Sequence, residues 1–81
     1  MLNEFASCDK VVGVKQSVRA VREGRAQQVF LACDADPAVT DRVEELCRSL
    51  GVAVDDRFTM AQLGQAGAIA VGAAVLTILK A

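Results

Sequence analysis

Residues 27–33, QQVFLAC, are a continuous apolar run of strand length. A run of that kind is expected for a strand covered on both faces, so the segments around it are read as its covering layers. On the N-terminal side, a short helix is expected around residues 2–8. KVVG (10–13) then reads as a brief strand ending at Gly13. Residues 14–23 read as a helix stopped by Gly24, a natural C-terminal cap, with Val14, Val18 and Val21 as its core stripe. On the C-terminal side DADP turns the chain. Asp36 is the expected N-cap and Pro37 suits a first helical turn, while Val39, Val43, Leu46 and Leu50 carry an apolar stripe to Gly51. VAVDD (52–56) reads as a third strand and TMAQLGQA (59–66) as a short helix capped by Thr59. VGAAVLTIL (71–79) reads as a fourth strand, although its alanines would also allow a helix.

This alternation implies an α/β fold, a three-layer α/β/α sandwich on a small mixed four-stranded sheet. With 81 residues the chain makes one domain, 1–81. A chain of this length buries only about two thirds of the surface its unfolded form exposes, so the core must be compact. Aromatics are 4% against 53% hydrophobic residues overall, which leaves Val, Ala and Leu to fill that core.

Several function classes are disfavoured by what the chain lacks. There is no histidine, and Cys8, Cys33 and Cys47 form no CxxC pair and are odd in number, so neither a zinc site nor a disulfide framework is expected. The cysteines are read as small hydrophobes in a reducing, intracellular compartment. No nucleophile stands beside a base and no phosphate loop is present, while Asp34 and Asp36 lie at a turn where capping explains them, so an enzyme is not expected, nor a cofactor. The uncharged stretch 58–79 has the length of a membrane span, but Gln62, Gln65, Gly64, Gly67 and Gly72 interrupt it, and it is read as a buried C-terminal unit. No secretory pattern opens the sequence, and a cytoplasmic monomer is the simplest expectation.

Charge is distributed unevenly. Residues 10–25 carry Lys10, Lys15, Arg19, Arg22 and Arg25 against Glu23 alone, a balance of +4, whereas residues 34–56 carry seven acids against Arg42 and Arg48, a balance of −5. The net charge of −1 conceals a dipolar molecule whose basic part can meet a phosphate backbone. Lys15, Arg19 and Arg22 recur at intervals of four and three and share one helix face. At the start of that helix Gly13 permits close approach of another backbone, the first-turn N–H groups favour an anion, and Lys15 and Gln16 present donors. The amide of Gln16 can also address a base edge. The same residues also fit an ordinary solvated helix face with Gly13 as a turn.

Three blocks, GVKQSVRAVREG (13–24), ACDADP (32–37) and QLGQAGAIAVGAA (62–74), resemble the small bacterial YbxF-type members of the L-seven-Ae ribosomal protein family in order and spacing. The YlxQ-type members are less similar, because the VGAA ending is closer to the YbxF pattern. The resemblance implies a protein that binds kink-turn RNA, a bent duplex with tandem sheared G·A pairs beside a three-nucleotide bulge. It implies that a helix N-terminus formed by Gly13, Val14, Lys15 and Gln16 enters the groove over the G·A pairs, with Arg19 as the family's basic residue one turn later. Lys15 and Gln16 fall where many members carry Asn-Glu. Asp36 aligns with an acidic position that in some members meets a flipped-out nucleotide, and a helix cap explains it equally well. Ala68, Ile69, Ala70 and Val71 align with the loop that packs on the bulge. The expected partner is structured RNA, ribosomal or riboswitch-type, and the ribosomal alternative implies ribosome association.

This chain departs from the family in that loop. Gln65 and Gly67 stand where the common LGKACG or LGRACG motif has a basic residue and a cysteine, Ala68 replaces its second glycine, and Val71 stands where archaeal and eukaryotic members often have arginine. Fewer phosphate contacts imply lower affinity and a flatter salt dependence. The acidic 34–56 region and the depleted loop also fit an alternative, a protein-interaction module of the same fold that has lost RNA binding.

Overall fold

The computed structural model describes residues 9–68 and 71–80. The helix expected at 2–8 lies outside them, as do Cys8, Ile69 and Ala70. The elements run β1 (Lys10–Val12), α1 (Val14–Arg22), β2 (Ala26–Leu31), α2 (Pro37–Leu50), β3 (Ala53–Asp55), α3 (Met60–Ala66) and β4 (Val75–Leu79). The four strands form one mixed sheet in the order β1-β4-β2-β3. β4 is antiparallel to both β1 and β2, and β3 is parallel to β2.

The apolar run in β2 is continuous because alternate side chains enter different cores. Val29 and Leu31, with Val75 of β4, pack with Val21 of α1 and with Val43 and Cys47 of α2. Phe30, with Leu76 and Ile78, packs with Phe58 and with Leu63 of α3. The period of two along a strand thus places α1 and α2 on one face of the sheet and α3 on the other, which gives the three layers. Phe30 and Phe58 meet edge to face with ring centroids 5.7 Å apart.

Helix ends follow local chemistry. α1 stops one residue before the expected position: Gly24 takes φ 73°, its N–H donates to the Val21 carbonyl at 3.1 Å, and the Arg25 N–H donates to the Ala20 carbonyl at 2.9 Å. These are the paired bonds of a glycine-terminated helix. α2 has Asp36 as N-cap and Pro37 in its first turn, and ends at Gly51 with φ 71°. β2 ends at Leu31 rather than Cys33, because the Ala32 N–H donates to Ala74 and the Cys33 N–H to Phe58, both at 2.8 Å, as the chain turns away.

The uncharged stretch 58–79 divides into α3 and β4, which resolves its last part as strand, and β4 begins only at Val75. Among the described residues no helix is long and apolar enough to cross a membrane. Cys47 is fully buried in the core, where desolvation, and then the charge of Glu44, push its thiol pKa up. Cys33 differs from expectation: it is exposed, because it lies in the turn beyond β2 rather than within the strand.

Candidate nucleic-acid interface

β1 and β2 are each antiparallel to β4, and β3 is parallel to β2, so β1, β2 and β3 point the same way. Each is followed by a helix, and the N-termini of α1, α2 and α3 therefore gather at one edge of the sheet, where β4 also begins. Hydrogen bonds knit this edge together. The Gly13 N–H donates to the Val75 carbonyl at 2.8 Å, the Met60 N–H to Asp34 Oδ1 at 2.8 Å, and the Ala73 N–H to the Met60 carbonyl at 3.0 Å. In open α/β sheets the carboxyl ends of parallel strands are where ligands bind.

The three helix starts differ chemically. At α2 the Ala38 N–H donates to Asp36 Oδ1 at 3.0 Å. At α3 the Gln62 N–H donates to Thr59 Oγ1 at 3.2 Å while the Thr59 N–H donates to Gln62 Oε1 at 2.9 Å, a reciprocal capping box, and Asp34 takes the Met60 N–H as well. α1 has Gly13 as its N-cap, with φ 105° and ψ 160°, no side-chain cap and no acid in its first turn. Its first backbone bond runs from the Ser17 N–H to the Gly13 carbonyl at 3.1 Å. The N–H groups of Val14, Lys15 and Gln16 thus have no intrahelical acceptor. Among the described residues α1 is the only helix whose N-terminus no side chain caps, and its positive end faces outward between exposed Lys15 and Gln16.

Behind this end the basic face is built as its spacing predicts, with Val18, Ala20 and Val21 turned inward or half inward and Arg19 and Arg22 exposed. Lys15, Gln16, Val18, Arg19, Arg22 and Glu23 line one surface depression. Glu23, which sequence counting treats as a single offsetting charge, stands between two arginines. Arg19 Nε donates to its Oε2 at 3.3 Å and Arg25 Nε to its Oε1 at 2.8 Å. The hydrogen bond from Arg19, then that from Arg25, lowers the Glu23 pKa from the usual glutamate value. Its four-residue spacing from Arg19 was the available signal.

The turn that follows α3 lies against Val12 at the end of β1. Ala68 adopts φ 59°, so the turn keeps a left-handed residue where the family motif has glycine. A β-carbon on Gly67 would stand 2.5 Å from Val12 Cγ2; the valine side chain occupies space that the motif's cysteine would need. A β-carbon on Gly64 would collide with the Val71 carbonyl oxygen. Val71 itself is 71% exposed.

The structure thus brings Gly13, Val14, Lys15 and Gln16 to the same edge as the 71–75 segment, with Arg19 one turn along α1. Asp36 sits at that edge on α2 and serves as a helix cap through Oδ1. The residues that sequence reasoning did not place in the site are Glu23, Gly64 and Gly67, together with Asp34, whose carboxylate ties the 33–36 turn to α3.

Residues 7–81 match the ribosomal protein L7Ae/L30e/S12e/Gadd45 family. The chain is 46% identical over 70 residues to an RNA-binding protein of Geobacillus sp. (strain WCH70), covering 86% of this chain and 85% of that one. It is 40% identical, over the same shares of both chains, to RNA-binding protein YbxF of Geobacillus stearothermophilus. Among solved structures, the 15.5kD RNA binding protein of Giardia lamblia superposes with a TM-score of 0.86 at 26% identity, covering 99% of this chain and 68% of that one. With its mixed sheet, its layers and its sequence in agreement, the chain belongs to the ribosomal protein L7Ae/L30e/S12e/Gadd45 family.

Proposed function

We propose that this protein binds kink-turn RNA and stabilises its bent form. In this reading the open N-terminus of α1 enters the groove over the tandem sheared G·A pairs, Lys15 and Arg19 meet phosphates or base edges, and Gln16 reads a base edge through its amide. The segment 68–71 packs on the adjacent bulge, with Val71 as its exposed apolar contact. Asp36, already a helix cap, retains a second carboxylate oxygen for a bulged nucleotide. The protein acts as a monomer in the cytoplasm, on ribosomal or riboswitch-type RNA, and performs no catalysis.

The observation that carries this reading is the contrast among three neighbouring helix starts: those of α2 and α3 are closed by side chains, and that of α1 is open and flanked by Lys15 and Gln16. The RNA-binding relatives support it. A helix end that fits only the kinked groove shifts the RNA by its differential affinity for the bent and extended forms. Energy transfer between dyes on the two RNA arms is therefore expected to rise as protein is added, and to stay flat for an RNA lacking the G·A pairs. Equal binding to both RNAs without added transfer would remove the kink-turn reading. Absence of binding would favour a protein-interaction module of the same fold.

A further inference from the structure

We propose that the basic face of α1 continues beyond the helix into a phosphate track for one duplex arm of the bound RNA, with Arg25 and Lys80 as its far end. The proposal rests on the RNA-binding reading above and extends it away from the G·A site.

α1 starts at the edge where β1 ends and finishes at the opposite edge, where β2 starts and β4 ends. Its nine residues span about 13 Å at the rise of an α-helix, and Lys15, Arg19 and Arg22 follow one another along it. At the far end the turn at Gly24 folds the chain back and delivers Arg25. The Lys80 N–H donates to the Arg25 carbonyl at 2.8 Å, which sets a cation from the end of the described chain beside one at the end of α1. Lys80 is exposed, and the Arg25 side chain is 51% exposed.

Among the described residues the acids at this end are Glu23 and Asp9. Glu23 holds Arg19 and Arg25 through Nε alone, and no described residue takes their Nη groups. A guanidinium fixed at Nε keeps its outer donors for a phosphate, so the carboxylate orders the cations it partly neutralises. Asp9 accepts the Leu79 N–H through its backbone carbonyl, and the carboxylates of Asp9 and Glu23 stand against Lys10, Arg22, Arg25 and Lys80, so cations outnumber acids here. A line of cations longer than a helix fits an extended polyanion better than a single bound anion. Lying directly below the open helix end, it fits the backbone of the duplex that emerges from that site.

The test compares the full chain with the exposed double variant Arg25→Gln/Lys80→Gln on two kink-turn RNAs. One has a long duplex on each side; the other has the arms clipped close to the G·A pairs. For the parent, the long-armed RNA is expected to bind more tightly and with a steeper salt dependence. In the double variant the slope of log affinity against log salt on the long-armed RNA should fall by about 1 to 2, with a roughly three- to tenfold loss of affinity at low salt. The clipped RNA should bind both proteins alike. Equal losses on both RNAs, or no loss on either, would overturn the track while leaving the G·A site intact. If the parent prefers neither RNA to a control without G·A pairs, the underlying RNA reading fails and the track fails with it.

Discussion

The carbonyl oxygen of Val71 lies against Gly64 so closely that a β-carbon there would overlap it, with Gly72 Cα only 3.0 Å away. α3 therefore accepts the segment leading to β4 only because position 64 has no side chain. Gly64→Ala would improve helix propensity, yet the opposing atoms are backbone and cannot rotate away. We expect a net loss of about 1 to 3 kcal/mol in urea unfolding, the usual cost of overpacking. RNA affinity should fall further than stability alone explains, because the displaced segment carries Val71. Gln65→Ala, on the exposed side of the same helix, is the control and should leave both unchanged.

Ala68 supplies a prediction of opposite sign. Its φ of 59° is a conformation that glycine adopts freely and that alanine adopts only with strain. Ala68→Gly is expected to raise stability by about 0.5 to 1 kcal/mol, since relief of that strain outweighs the added freedom of the unfolded chain. A thermal melt that falls instead would show that the turn does not hold position 68 in that conformation in solution.

These two positions also mark where sequence reasoning ends. The layers were legible because period-two and helical patterns are local: Val29 and Phe30 alternate between cores, and Val14, Val18 and Val21 recur on one helix face. The basic face of α1 was legible for the same reason. The closure of α2 by Asp36 and of α3 by Thr59 could be read from residue type. That the open start of α1 shares its edge with the starts of α2, α3 and β4 could not, because it depends on strand order and direction. Gly67 looked like a lost cysteine, and only its approach to Val12 shows what fills the space. Asp34 bonds to Met60 across 26 positions, a pairing that local patterns do not encode.

Acid sensitivity should have an identifiable source at Asp55. Its carboxylate accepts from Arg57 Nε and Nη2, the latter at 2.7 Å, and from the Arg57 N–H at 3.0 Å. The Arg57 side-chain bonds chiefly hold its pKa below the usual aspartate value. A lowered folded-state pKa means stability that is present above about pH 4 and is lost as pH falls through the folded value. Asp55→Asn should therefore be less stable than the parent in urea at pH 7, and the difference should shrink steadily below about pH 4. A difference independent of pH would assign the effect to packing around Phe58, over whose ring the Arg57 guanidinium lies at 5.6 Å.

The open end of α1 gives the sharpest test of the proposed site. Lys15 and Gln16 flank uncapped backbone N–H groups, and Arg19 stands one turn behind them with its side chain 71% exposed. Lys15→Ala and Arg19→Ala should each cost on the order of 1 to 3 kcal/mol in binding if they reach base edges or tightly held phosphates. Arg22→Ala, farther along the same face, should cost less and act mainly by flattening the salt dependence. Gln16→Ala removes no charge, so it should reduce the preference for kinked over control RNA more than it reduces general affinity. All four side chains are exposed, and their replacement should leave the melting temperature nearly unchanged. The Arg19–Glu23 pair adds little stability because both partners are solvated. A loss of affinity therefore reports on the interface rather than on folding. If Lys15→Ala and Arg19→Ala bound kink-turn RNA as tightly as the parent, the RNA would have to dock elsewhere, and the open start of α1 would need another ligand.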